Sequence, residues 1–237
     1  MSKHAESATR HGGADEYNVT WQEYLQAIYY LGLEGGPVIG ARLAEWLGVS
    51  PPSVTSMLRR MQGEGLLTIG PRKEILLTQQ GRVAAEAVAR RHYLAERLLT
   101  EVLGLDWAVA HEEAERWQHA ISDRTEWRLW EALHRPTTCP HGTPIPGLPM
   151  ETKPTGELRA LSDLPERSEG VVERIVEDEK EDLSELLSFL GEHAIVPGAR
   201  VRVLSVAPII STVTLETETG NVTLGMGVAE KVLIAPA

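Results

Sequence analysis

Hydrophobic positions in the first half of the chain recur at helical spacing. Tyr24, Leu25, Ile28, Tyr29 and Leu31 mark a first helix, opened by Thr20-Trp21-Gln22-Glu23 in the form of a capping box and closed by Gly35-Gly36-Pro37. Leu43, Ala44 and Leu47 share one face of a short helix that begins at Gly40. After a turn at Gly48-Val49, Ser50 caps a third helix with Pro51 and Pro52 in its first turn, where a missing N–H costs nothing. Val54, Met57, Leu58 and Met61 form its apolar face. Two short segments, 66–69 and 74–77, predict a β-ribbon whose tip is Gly70-Pro71-Arg72-Lys73. Thr78 opens a long helix to about residue 103. Asp106 and Ser122 cap two more, the last with Trp127, Trp130 and Leu133 as its apolar face.

The pattern changes at Pro136. Pro136, Pro140, Pro144, Pro146, Pro149 and Pro154, with glycines between them, exclude a helix and read as a linker. Beyond it, alternating segments at 169–177, 199–207, 212–217, 221–225 and 231–234, with a short helix at 181–190, predict a small β-barrel. The expected fold is mainly α with a small β part. A disordered leader (1–16) precedes a winged helix-turn-helix domain (17–82) and a helical region (83–150). A linker (151–168) then leads to a β module (169–237).

Composition changes this picture in two ways. The 237 residues suffice for two compact domains and contain no apolar run that would span a bilayer. The leader lacks the apolar core of a signal peptide, and the single cysteine, Cys139, excludes an intrachain disulfide. Both fit a cytoplasmic protein. The net charge of −11 is unevenly spread: residues 38–93 carry eight Lys/Arg against four Asp/Glu, and residues 94–237 carry 13 against 25. A locally basic segment meets phosphate even in an acidic protein, because binding follows the local field.

That basic segment is the helix, turn, helix and basic-tipped ribbon of a winged helix. A helix of this kind enters the major groove and presents its N-terminal side chains to base edges. Here they are Ser50, Pro52, Ser53, Thr55 and Ser56, small groups that hydrogen-bond bases or touch thymine methyls. Arg59 and Arg60 follow one turn later, within reach of phosphate, and Arg72 and Lys73 at the ribbon tip are placed to contact the backbone or the minor groove. The double-stranded DNA reading competes with a winged helix used only for protein contacts.

The second chemical pattern is on the later helices. His92 and Glu96 lie four apart on one helix face, and His111, Glu115, Gln118 and His119 share one stripe of the next helix, where an amphipathic helix normally buries apolar groups. Glu23 on the first helix adds a third wall. Imidazole and carboxylate are good ligands for first-row divalent metals. Each residue taken singly has a structural alternative, such as an exposed ion pair or a capping contact. An enzyme is not indicated: His111-Glu112-Glu113-Ala114-Glu115 begins like the HExxH zinc-protease motif but lacks the second histidine. Among the non-enzyme alternatives are a regulator answering an organic ligand and a metal-handling scaffold.

Several strings together resemble the diphtheria toxin repressor family of iron- and manganese-dependent transcriptional regulators. They are Tyr24-Leu25-Gln26-Ala27-Ile28-Tyr29, Arg91-His92-Tyr93-Leu94-Ala95-Glu96-Arg97-Leu98-Leu99, and His111-Glu112-Glu113-Ala114-Glu115-Arg116-Trp117-Gln118-His119. Pro144-Ile145-Pro146-Gly147 also resembles the family. Ile195-Val196-Pro197-Gly198 and Val228-Ala229-Glu230-Lys231-Val232 are similar to its SH3-like (FeoA-like) module. The resemblance implies a homodimer built on the helical region, metal-dependent binding to a palindromic operator, and repression of metal-uptake genes. It implies one metal site at His92, Glu96 and His111, with two ligands from the SH3-like domain near Asp182 and Glu185. A second site is implied at Glu23, Glu115, Gln118 and His119. Glu23 and Glu115 are similar to the manganese-type members rather than the iron type, which has Met and Cys there. Gln118 stands where the family has an acidic residue. The expected cofactor is Mn2+, with Fe2+ the alternative and no organic cofactor; hard oxygen donors suit manganese, although it binds more weakly than its competitors to most such sites.

Overall fold

The computed structural model describes residues 14–33, 36–148, 158–177 and 183–236. The chain divides into two compact units, residues 1–92 with 117–128, and residues 93–116 with 129–237.

In the first unit, helix α1 spans Val19–Leu33. Its cap is Asn18, whose Oδ1 accepts from the Trp21 N–H at 3.1 Å. The capping box expected at Thr20 is therefore replaced by an Asn cap, and Glu23 is an exposed position on the helix. Tyr17 stacks on Trp21 across this cap, with ring centroids 6.0 Å apart, and so fixes the angle at which the chain enters. Helix α2 (Gly40–Trp46) and helix α3 (Pro51–Gly63) follow. Ser50 Oγ accepts from the Ser53 N–H at 3.4 Å, with proline in the first turn. Strands β1 (Leu67–Ile69) and β2 (Ile75–Leu77) pair antiparallel, with Leu67 opposite Leu77. Leu25, Leu31, Leu43, Val54, Met61 and Leu66 are buried together. Each such side chain contributes about 1.5–3 kcal/mol over leaving it in water.

Helix α4 (Gln79–Arg97) is capped by Thr78, whose Oγ1 accepts from the Gly81 N–H at 3.1 Å, and it continues as a π-helical turn over Leu98–Val102. Helix α5 (Trp107–Trp117) is capped by Asp106 and runs into a 3-10 turn, Gln118–Ala120. Helix α6 (Asp123–Ala132) begins with Ser122 and Thr125 in reciprocal contact, 3.3 and 3.0 Å. Arg91, 1% exposed, and the buried Glu126 form an ionic cluster with the exposed Asp123 and Asp15. This cluster explains one departure from expectation. Residues 14–16 were expected in a disordered leader, but they form a 3-10 turn with Ala14 buried, held by Asp15 Oδ1 accepting from Arg91 Nη2 at 2.8 Å. The remainder of the leader lies outside the described residues.

The second unit carries the β module. Strands β3 (Arg159–Ala160), β4 (Glu169–Ile175), β5 (Arg200–Ala207), β6 (Thr212–Thr217), β7 (Gly220–Gly225) and β8 (Val232–Pro236) form one antiparallel sheet in the order β3-β8-β4-β5-β6-β7. Helix α7 (Leu183–Glu192) and the short helix α8 (Met226–Lys231) complete it. Alternating positions such as Val201, Val203, Val213 and Leu215 meet Leu187 and Leu190 of α7 in one core. Strand β3 lies within the segment expected to be linker. It escapes periodicity because only two residues pair, Arg159 with Ile234 and Ala160 with Leu233.

Candidate metal centre and nucleic-acid interface

The cluster richest in ligand atoms lies in the second unit. Glu96, on the last turn of α4, is fully buried. Its Oε1 lies 2.7 Å from His111 Nδ1 on α5 and 3.4 Å from His141 Nδ1. Cys139 and His141, both fully buried, come from the proline-rich segment that reads as linker in the sequence. Glu177, just beyond β4, completes the group: its Oε1 is 3.5 Å from His141 Nδ1 and accepts from Cys139 Sγ at 3.5 Å, and its Oε2 is 3.9 Å from His111 Nδ1. His92 precedes Glu96 by one turn of the continuous helix α4 and is 1% exposed.

The segment carrying Cys139 and His141 is built to a definite shape. Cys139 N–H donates to Thr143 O at 2.8 Å, Gly142 N–H to Cys139 O at 3.0 Å, and Thr138 bridges Pro144. Arg97, next to Glu96, donates to Thr138 O at 2.8 Å and to Cys139 O at 3.1 Å. Ile175 N–H of β4 donates to His141 O at 2.8 Å, and Thr143 Oγ1 donates to Glu177 Oε1 at 3.1 Å. On the other side, the Trp107 ring stacks on His141, centroids 4.9 Å apart, while its indole N–H donates to Leu187 O at 2.9 Å. The ligand atoms are thus held from α4, α5, β4 and α7.

The donor set fits a divalent first-row cation. Glu96, His111 and Glu177 each offer an atom within 4.8 Å of the others, as do Glu96, Cys139 and His141. Two carboxylates and two imidazoles in one buried pocket offer the oxygen and nitrogen donors that suit such a cation. Burial, then Glu177 and Glu96, push the Cys139 thiol well above its usual range, so at neutral pH it carries its proton. Thiolate ligation therefore releases a proton.

Of the sequence-derived candidates, Glu185 is exposed on α7 and Asp182 lies outside the described residues. Glu177 is the carboxylate that the β module brings to the cluster. Sequence reading missed Glu177, Cys139 and His141. The signal available was Cys139-Pro140-His141, a soft and a borderline donor two apart in a proline-rich turn. The second candidate group is divided: Glu115 is half-buried on α5 in the second unit, whereas Glu23, Gln118 and His119 belong to the first. There Gln118 is fully buried and exchanges two amide hydrogen bonds with Gln26 of α1, at 3.0 and 3.2 Å. His119 Nδ1 lies 2.8 Å from Gln22 Oε1.

The candidate nucleic-acid face is on the first unit. Val54, Leu58 and Met61 anchor α3 in the core, which leaves Ser50, Pro52, Ser53, Thr55, Ser56, Arg59 and Arg60 exposed. Ser50 and Ser53 share a hydrogen bond at 2.8 Å, and Thr55 Oγ1 donates to Pro51 O at 3.0 Å. The Arg60 guanidinium sits 5.7 Å from the Trp21 ring centroid, so its direction is partly set by α1. At the wing tip Arg72 and Lys73 are exposed. Lys73 takes φ of 64°, and Glu74 Oε2 accepts from the Arg72 N–H at 2.8 Å.

No helix of the described residues is long and apolar enough to cross a membrane. The family model described as the N-terminal DNA-binding domain of iron-dependent repressors matches residues 18–75, that of their metal-binding and dimerisation domain matches 78–147, and the FeoA domain matches 159–236. The chain is 41% identical to the iron-dependent repressor IdeR of Mycobacterium leprae over 191 residues, covering 78% of this chain and 83% of that protein. It is 40% identical to the diphtheria toxin repressor of Corynebacterium efficiens over 198 residues, covering 81% and 83%. Among solved structures, a manganese-dependent transcriptional repressor in complex with manganese matches with a TM-score of 0.78 at 32% identity, over 92% of this chain and all of that one. The apo form of the manganese-activated repressor ScaR matches with a TM-score of 0.73 at 27% identity, over 91% of this chain and all of that one. With a winged helix, a metal-binding and dimerisation domain and an SH3-like FeoA domain in this order, the chain belongs to the iron-dependent (diphtheria toxin) repressor family of metal-responsive, DNA-binding transcriptional repressors.

Proposed function

We propose that this protein is a manganese-activated homodimeric repressor of metal-uptake genes, switched through the cluster of His92, Glu96, His111, Cys139, His141 and Glu177. The observation that carries the reading is the meeting of Glu96, His111, Cys139, His141 and Glu177 in one buried pocket. His92 joins them by its place one turn from Glu96 on the same helix. When bound, the cation offsets the two carboxylates and ties their segments into one coordination sphere. The chain's own part is to hold the donors: Arg97 and β4 fix the Cys139–His141 turn, and Trp107 walls His141. These contacts couple ligation to the packing of α4, α5 and the β module. Val102, Leu103 and Val109, exposed in the dimerisation domain, offer apolar surface to a second copy. Occupancy favours the dimer geometry that fits two operator half-sites about 34 Å apart, because the cation binds that state more tightly. Glu23, Gln118 and His119, all in the first unit, belong to a second, weaker centre.

Hard donors at Glu23 and Glu115 favour manganese. The thiol of Cys139 favours a second reading, ferrous iron, because sulfur adds affinity for the later metals. The test is binding to DNA from the region upstream of the protein's own gene at fixed salt, first after chelation and then with Mn2+ or anaerobic Fe2+. Binding that appears only with metal is expected, with Mn2+ effective at the free concentration it reaches in the cell. Equal binding without metal contradicts the reading.

A further inference from the structure

The amide side chains around His119 determine which of its nitrogens carries the proton. Gln22 is buried on α1, and its Nε2 donates to Ala14 O at 2.9 Å and to Tyr17 O at 2.8 Å. Both of its hydrogens are thereby used, and the orientation of the amide is fixed. Its Oε1 therefore faces His119 Nδ1, 2.8 Å away, as an acceptor. Nδ1 must carry the hydrogen, and in the neutral ring the lone pair is on Nε2. That nitrogen meets the Gln118 amide nitrogen at 3.3 Å. Gln118 is turned this way by its paired bonds with Gln26, at 3.0 and 3.2 Å.

We propose that Gln22 and Gln118 are positioning residues for the second metal centre: Gln22 fixes His119 in the tautomer that presents Nε2, and Gln118 covers that nitrogen. Gln118 must swing off Nε2, breaking its pairing with Gln26, before His119 can ligate. The centre at Glu96 therefore fills first and the centre at His119 second. The inference rests on the two-centre reading above and adds the order of filling with its cause. A glutamate at position 118 has no N–H with which to cover Nε2 and supplies an anionic oxygen in its place.

The test is metal binding by the full-length protein, read without DNA. Chelated wild-type chain is titrated with Mn2+ while the electron paramagnetic resonance signal of free Mn2+ is followed. The expected result is one tight equivalent per chain and a second about tenfold weaker or more. Gln118→Glu should tighten the second equivalent by about tenfold or more and leave the first unchanged. His119→Gln should remove only the second, and Glu96→Gln only the first. Two wild-type equivalents of equal affinity, or a second equivalent that Gln118→Glu leaves unmoved, overturn the proposal. A long-range proton–nitrogen NMR spectrum of the metal-free wild-type chain gives a check that needs no stable variant. His119, identified by its loss in His119→Gln, should be the Nδ1–H tautomer, and an Nε2–H tautomer overturns the proposal. Absence of any tight Mn2+ equivalent overturns the sensor reading itself, a result distinct from equal filling.

Discussion

Gly142 lies against the backbone of Glu173 so closely that a Cβ on it would stand 2.0 Å from the Glu173 carbonyl oxygen. Its φ of 87° is also one that side chains avoid. This approach presses the Cys139–His141 turn onto β4, the strand that leads into Glu177. The β module is thus joined to the candidate metal centre through backbone, with a glycine where nothing larger fits.

Gly142→Ala should therefore do more than strain one turn. The left-handed backbone alone costs about 1–3 kcal/mol, and the collision moves Cys139 and His141 away from Glu177. Metal affinity of the tight centre, measured by competition with a chelator, should fall about 10- to 100-fold. Wild-type affinity in a folded Gly142→Ala protein would mean that this turn does not carry ligands.

The protonated Cys139 thiol predicts a direction for pH. Burial and the neighbouring carboxylates hold its pKa well above the usual thiol range. Over pH 6–8 the metal-free protein keeps this proton and the metal-bound protein does not, so each binding event releases it. Apparent affinity should rise by up to about tenfold per pH unit from this group. Cys139→Ser removes the thiol's contribution, and the difference in slope between the two proteins measures it. Identical slopes would exclude Cys139 as a ligand.

The same substitution should sort the metals. Serine leaves oxygen in place of sulfur, so affinity for Fe2+ and Co2+ should drop by a larger factor than affinity for Mn2+. The Co2+-loaded wild type should show a thiolate-to-cobalt charge-transfer absorption that Cys139→Ser lacks.

Arg59, Arg72 and Lys73 are exposed on the recognition helix and the wing. Replacing each with alanine should lower operator affinity for all sequences alike and reduce the slope of log affinity against log salt by about 0.9 for each phosphate that is no longer neutralised. A slope that stays at the wild-type value in the triple variant would place the DNA on another face.

Glu126 and Arg91 form a buried pair, both side chains 1% exposed, with Nε to Oε2 at 2.9 Å. Glu126→Ala leaves Arg91 without this carboxylate and should destabilise the fold by about 3–5 kcal/mol in denaturant unfolding.

Much of this organisation is legible in the sequence because its signals are local. Ser50, Thr78, Asp106 and Ser122 each cap the helix that the pattern assigns to them, and the apolar spacing of Val54, Leu58 and Met61 settles which side of α3 faces outward. The first helix shows the limit of local reading. Thr20 and Glu23 have the spacing of a capping box, yet Asn18, two residues earlier, takes the cap and leaves Glu23 exposed. Cys139 and His141 escaped for a related reason. Proline content excludes helix correctly but says nothing of a turn held by Arg97, Thr143 and Ile175, two of them distant in sequence. Glu177 is one acidic residue among many near 177–185, and only the strand that ends at Ile175 selects it. Likewise, the pairing of Gln26 with Gln118 spans 92 positions, and helical periodicity carries no information about it.

On the proposed reading, the buried cluster around Glu96 converts metal occupancy into operator binding. Its most direct test is operator affinity as a function of free Mn2+ for wild type and Glu96→Gln side by side, at fixed salt and with both proteins shown to be folded. Wild type should gain affinity steeply with metal, while Glu96→Gln should stay near the chelated level until far higher Mn2+. A Glu96→Gln protein that follows the wild-type curve would contradict that reading.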